Sequence, residues 1–176
     1  MNPSAWKDYF PWTRALPTPV VVNIATLGPL GTKFKAPGTV GSAAGIIWYT
    51  ACFHFASPFG YLLLLLLSLY FATGICGEAE KRLYKRDPGE VILDEFAVMP
   101  ICFIGLQGAV VALGGWAWTL MLAAFALFRL FDIAKPFGIS KLQDLPGGYG
   151  VMADDVAAAL VTCVLLHIGV WLWAMA

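Results

Sequence analysis

The chain has 176 residues, of which 60% are hydrophobic and only 12% charged, with a mean hydropathy of +0.76. Soluble domains carry about 25% charged side chains, so there is too little polar surface here for a water-soluble globule, and too much apolar surface for a disordered chain. The 11 Lys and Arg balance the 11 Asp and Glu, leaving no net field to argue for a nucleic-acid partner.

In chain order, Trp6, Tyr9, Phe10 and Trp12 come first, with the composition of an aromatic anchor at a membrane surface. Residues 15–32 are uncharged, with Lys33 and Lys35 at the segment's exit. Pro17, Pro19, Gly28, Pro29 and Gly31 oppose one continuous helix there. An interfacial or re-entrant segment is therefore expected over 1–35. No cleaved signal is expected, since the basic start, apolar core and small-residue cleavage site are not in evidence together.

Three stretches then carry no Asp, Glu, Lys or Arg: 36–77, 96–128 and 156–176. A spanning helix needs about 20 apolar residues. The first stretch fits two spans divided at Ser57-Pro58, and the second fits two divided at Gly114-Gly115. The third fits one. The expected fold is an all-α, polytopic membrane bundle of about five transmembrane helices, over about 40–56, 59–77, 96–113, 116–134 and 155–175, in a single membrane domain. The segment 78–90 between them, with Glu78, Glu80, Lys81, Arg82, Lys85, Arg86, Asp87 and Glu90, reads as a water-loving loop. If the spans alternate, all 11 basic residues share one face, which the positive-inside rule assigns to the cytoplasm.

Cys52, Cys76, Cys102 and Cys163 stand singly in apolar segments and read as packed thiols. His54 and His167 fall towards the opposite face, which argues against a histidine-based site. What remains is acid concentrated at one surface. Asp94 and Glu95 stand where the polar loop meets the third span, Asp132 in the last turn of the fourth, and Asp154 and Asp155 at the opening of the fifth. Ionisable groups at membrane depth are costly and mark function. One aspartate at each helix start would serve as a cap. Two doublets exceed that need and repel each other unless a cation sits among them. Oxygen ligands without His or Cys point to magnesium (Mg2+).

Arg129 and Asp132 share a helix face, and Pro136 ends that helix near Lys135. Arg129 is equally suited to pairing with Asp132, to snorkelling, and to holding phosphate. Gly38, Thr39, Gly41 and Ser42 lead into the first span, where exposed N–H groups and hydroxyls suit an anion. Gly147, Gly148 and Gly150 precede Asp154 and allow a close turn. Phosphate chemistry at lipid headgroup level is the economical reading.

Four blocks resemble the phosphatidylglycerophosphatase A family: Pro37-Gly38-Thr39-x-Gly41-Ser42, Asp94-Glu95-Phe96, Phe128-Arg129-x-x-Asp132-x-x-Lys135-Pro136, and Gly147-Gly148-x-Gly150-x-Met152-x-Asp154-Asp155. The resemblance runs from about residue 28 to the C-terminus and implies a magnesium-dependent enzyme of the bacterial inner membrane. It would hydrolyse phosphatidylglycerophosphate to phosphatidylglycerol and inorganic phosphate, the last step of phosphatidylglycerol synthesis. On that reading Glu95, Asp132, Asp154 and Asp155 hold metal, and Asp94 is a further ligand or the base. Gly38, Thr39, Gly41, Ser42, Arg129 and Lys135 hold the phosphoryl group. The expected partners are the lipid substrate and the bilayer, with no obligate protein partner. A small ion or metabolite transporter with a carboxylate ion site is the alternative, disfavoured because transport sites lie near the bilayer midplane. A CDP-alcohol phosphotransferase is disfavoured by the lack of its DG-rich acidic motif.

Overall fold

The computed structural model describes residues 9–175, and those residues form helices and turns without a strand. Trp6 of the expected aromatic anchor lies outside them. Eight α-helices follow in order: α1 Thr18–Ala25, α2 Leu30–Lys33, α3 Pro37–Trp48, α4 Pro58–Leu83, α5 Leu93–Val98, α6 Gln107–Leu113, α7 Ala117–Ala134 and α8 Gly148–Met175. Three helical stretches are long and apolar enough to cross a membrane: Pro58–Leu83, Gln107–Ala134 and Gly148–Met175.

That number is smaller than the five expected, and the departures have local causes. The stretch 40–56 forms α3 and a π-helical turn, Tyr49–Phe53, which together fall short of a long spanning helix. The stretch 96–113 is not continuous. After α5 it tightens into a 3-10 turn, Met99–Phe103, and breaks at Gly105, whose φ is +76°. Pro100 has no N–H to give, and its carbonyl is taken by the Tyr61 hydroxyl. The division expected at Gly114-Gly115 coincides with a 3-10 interruption, Gly114–Trp116, inside the stretch 107–134.

Helix α4 shows how the sequence sets its ends. Ser57 caps it by accepting the Gly60 N–H at 3.2 Å, Pro58 takes the first position, and Tyr84 closes it in the left-handed region. Lys81 and Arg82 in its last turn suit the negative end of the helix dipole. The helix therefore extends through Glu78, Glu80, Lys81 and Arg82, which the sequence reading had put in a loop. Glu78 is buried there and accepts from Arg82 Nε at 2.9 Å and Lys81 Nζ at 3.2 Å.

Helix α8 is the axis of the packing, touching α4, α5, α7 and the 99–103 turn. Its first turn presses on α4 at Gly148, where a Cβ would overlap the Thr73 carbonyl. At the opposite end, Tyr49 stacks on Phe103 with centroids 4.0 Å apart, Phe53 meets Tyr61 edge-on, and Gln107 Nε2 donates to the carbonyls of Phe53, His54 and Ala56.

The N-terminal segment is divided by its prolines and glycines into a 3-10 turn, Pro11–Ala15, and the short helices α1 and α2. It packs along α4. Phe10 is buried against Tyr70, and Trp12 stacks on Phe71 at 5.4 Å, so two of the aromatics expected to anchor the chain are spent on helix packing. Tyr9 stays exposed. Arg82 clamps the segment by donating to the carbonyls of Leu16 at 2.7 Å and Thr13 at 3.0 Å.

Candidate active site

The acidic residues meet at one end of the bundle. Asp94 and Glu95 lie in the first turn of α5, Asp132 in the last turns of α7, and Asp154 and Asp155 in the second turn of α8. Helix α8 starts at Gly148, earlier than expected, so neither Asp154 nor Asp155 caps it. Oxygen atoms of Asp94, Glu95 and Asp155 all lie within 4.8 Å of one another. These three line a cavity of about 150 Å³ with Asp132, Asp154, Lys135 and the loop residues Asp87, Gly89 and Val91.

Burial makes the cluster costly. The Asp94 carboxyl is 4% exposed and holds its proton well above the usual carboxylate range, through burial first and then the neighbouring Glu95 charge. Its Oδ1 accepts the Glu95 N–H at 3.0 Å. Burial also raises Glu95, to about 6, with the Asp132 charge adding to the rise while the Asp94 hydrogen bond and Arg129 oppose it. Glu95 Oε2 and Asp154 Oδ1 are buried without a hydrogen-bond partner. A buried unpaired carboxylate oxygen costs several kcal/mol, at roughly the scale of a lost charged hydrogen bond, unless something binds it. An all-oxygen donor set with two such oxygens fits a hard divalent cation.

Two cations tie the acids to their helices. Arg129 Nη1 donates to Asp132 Oδ2 at 2.6 Å, lies 3.6 Å from Glu95 Oε1, and reaches Ser42 Oγ at 3.5 Å. It thus bridges α3, α5 and α7. Lys135, in the left-handed position that ends α7, pairs with Asp154 and lines the cavity. Burial lowers its proton affinity, but the Asp154 hydrogen bond and the charges of Asp154, Asp132 and Asp155 outweigh that and raise it.

The residues expected to hold phosphate are divided by this geometry. Lys135 lines the cavity, whereas Gly38, Thr39, Gly41, Ser42 and Arg129 are not among its lining residues. Ser42 is fully buried and donates to the Gly38 carbonyl at 2.8 Å. A Cβ at Gly38 would overlap the Glu95 carboxylate, and one at Gly41 would press on Ile92 at 2.9 Å. The two glycines therefore let α3 lie close behind Glu95. Gly148 and Gly150 likewise serve close approach, to Thr73 and to the carbonyls of Leu145 and Gln143.

Sequence reasoning missed Asp87 as a member of this end. Its carboxylate accepts from Gln143 Nε2 at 3.0 Å and its N–H donates to Glu80 Oε1 at 2.7 Å, which holds the 84–90 loop over the carboxylates. The signal present was the Asp87-Pro88-Gly89 turn sequence.

Fold and site together define a helical membrane protein with five carboxylates from three helices gathered at one end of the bundle. The family model of phosphatidylglycerophosphatase A matches residues 23–170, and the chain belongs to that family. It is 33% identical over 137 residues to a phosphatidylglycerophosphatase A of Haemophilus influenzae, covering 77% of this chain and 80% of that one. It is 31% identical over 134 residues to a phosphatidylglycerophosphatase A of Escherichia coli, covering 74% and 72%. It is also 37% identical over 141 residues to a Bacteroides thetaiotaomicron protein described as "Putative phosphatidylinositol-3-phosphatase", covering 77% and 84%. No solved structure matches the chain at a significant level. The protein is a lipid phosphatase, and the alternative reading as a transporter is set aside.

Proposed function

We propose that the protein hydrolyses phosphatidylglycerophosphate to phosphatidylglycerol and inorganic phosphate with magnesium, as the last step of phosphatidylglycerol synthesis. The site would face the cytoplasm from a bacterial inner membrane, as Lys81, Lys85, Arg86, Arg129 and Lys135, gathered near the carboxylates, suggest. The observation that carries the reading is the meeting of Asp94, Glu95 and Asp155 oxygens within 4.8 Å of one another. An unpaired buried Glu95 oxygen in the same cluster supports it.

Asp94, Glu95 and Asp155 would hold the ion, with Asp132 and Asp154 completing the acidic lining. Magnesium bound there would draw charge from a terminal phosphomonoester and make water more acidic. The chain's own groups do the rest. Asp94, once a bound cation has displaced its proton, would as a carboxylate accept the proton of the attacking water. The bond from water oxygen to phosphorus forms as the bond from phosphorus to the glycerol oxygen breaks, and the proton passes from Asp94 to that leaving oxygen. Lys135 meets the phosphoryl oxygens, held in place by Asp154. Arg129 acts from behind, fixing Asp132 and Glu95.

A second headgroup is favoured by one observation, the likeness to the Bacteroides protein and its printed description. The test is phosphate release by purified protein in detergent from phosphatidylglycerophosphate and from phosphatidylinositol 3-phosphate, with magnesium and with EDTA. Magnesium-dependent release from the first supports the proposal. Release from the second alone would replace the substrate, and release unaffected by EDTA would overturn the metal. Single turnover in oxygen-18 water tests direct attack: label absent from the released phosphate and found in a carboxylate would overturn it.

A further inference from the structure

Beside the carboxylate cavity lies a larger one of about 440 Å³, and the two share Asp87 and Val151. Their charge differs. Among the described residues Lys135 is the one cation against six carboxylates lining the smaller cavity, whereas Lys81, Lys85 and Arg86 match Glu80, Asp87 and Asp144 in number in the larger. Lys85 pairs with Glu90 at 3.1 Å and Arg86 with Asp144 at 3.2 Å at the surface, whereas Lys81 pairs with the buried Glu78 at 3.2 Å. The side chains of Lys81, Lys85 and Arg86 are 42%, 56% and 67% exposed. The exposed Lys85 and Arg86 pairs contribute about 0–1 kcal/mol each, so these two cations re-partner at little cost. Lysine has three N–H donors and arginine five, so none of the three is saturated by one carboxylate.

Beyond the larger cavity, sharing Leu145 with it, an apolar groove runs between α4 and α8 past Leu69, Met152 and Leu160. An apolar groove, a cavity that offers three cations among as many acids, and a carboxylate cavity thus follow one another. A lipid that carries a terminal phosphomonoester on a headgroup joined to diacylglycerol by a phosphodiester has its parts in the same order. We propose that Lys81, Lys85 and Arg86 bind the internal phosphodiester of the substrate while the terminal monoester reaches the carboxylates. The cavity would then select lipids with two phosphates over those with one. This rests on the lipid-phosphatase reading and adds to it the origin of headgroup selectivity.

The experiment compares kcat/KM for phosphatidylglycerophosphate and phosphatidic acid, the latter having a monoester and no diester. The unsubstituted protein is expected to prefer the first. Lys85→Gln and Arg86→Gln, singly and together, are expected to reduce that preference, the pair by tenfold or more. Lys141→Gln, an exposed cation on the same end that does not line the cavity, is expected to leave the preference unchanged. Equal losses on both lipids, an unchanged preference in the pair, or a matching effect of Lys141→Gln would overturn the diester site while leaving the phosphatase intact. An unsubstituted protein that releases phosphate from neither lipid would overturn the phosphatase reading and this site with it.

Discussion

At one end of the bundle Asp94, Glu95 and Asp155 crowd together, with Asp132 and Asp154 beside them; at the other, Tyr49 stacks on Phe103 and the Gln107 amide satisfies three carbonyls. The first end places like charges close together in poor solvent, and the second joins groups that attract or pack. On the proposed function, stability and activity would therefore be carried by different ends. The same helices, α8 above all, transmit the packing of the apolar end to the position of the acids.

The largest expected effect is at the acidic end. Asp155→Asn should lower phosphate release by about 10²–10³-fold, the scale for removing one group that stabilises transition-state charge. Its melting temperature should hold or rise, because one buried negative charge is gone. Activity assays beside thermal melts in detergent check both, and a variant that melts early would erase the distinction between the ends. At the apolar end, Tyr49→Ala removes a fully buried ring and should cost about 3–5 kcal/mol of stability, while activity per folded molecule stays near normal. A loss of activity without a loss of stability would break the comparison from the other side.

Between these extremes stands Gly38→Ala, whose Cβ would overlap the Glu95 carboxylate. It should cost about 1–3 kcal/mol through overpacking and weaken magnesium binding, as titration calorimetry would read. The smallest effect concerns pH. Glu95 is raised from its ordinary 4.5 to about 6, so the folded protein binds the extra proton between those values. Without divalent cation, its stability should fall as pH rises from 4.5 through about 6. Divalent affinity should rise over the same window, since cation and proton compete for the carboxylate. Melting curves with and without magnesium at each pH would show the two trends crossing.

Much of the acidic end was legible in the sequence because charge is so scarce: with 12% charged residues, two acidic doublets and Asp132 stand out against apolar stretches. The spacing of Arg129 and Asp132 left pairing and phosphate binding equally open, and the geometry shows the pair. Hydropathy could not show that 96–113 bends, because the bend is made at Pro100 and Gly105 inside a uniformly apolar run and is fixed by Tyr61 from another helix. Nor could it show that the glycines of 38–41 make room for Glu95, since what fills that space is distant in sequence. Asp87 was hidden for a related reason. A polar loop folded over the site has the composition of one left in water.

Asp94 and Glu95 come midway along the chain, whereas Asp154 and Asp155 belong to α8, the last helix in order. During synthesis the early acids must wait, without their later neighbours, until α8 docks against α4 through Gly148. On the proposed function, catalytic competence would then arrive with α8, and a chain in which α8 has yet to dock would be inert towards the lipids around it.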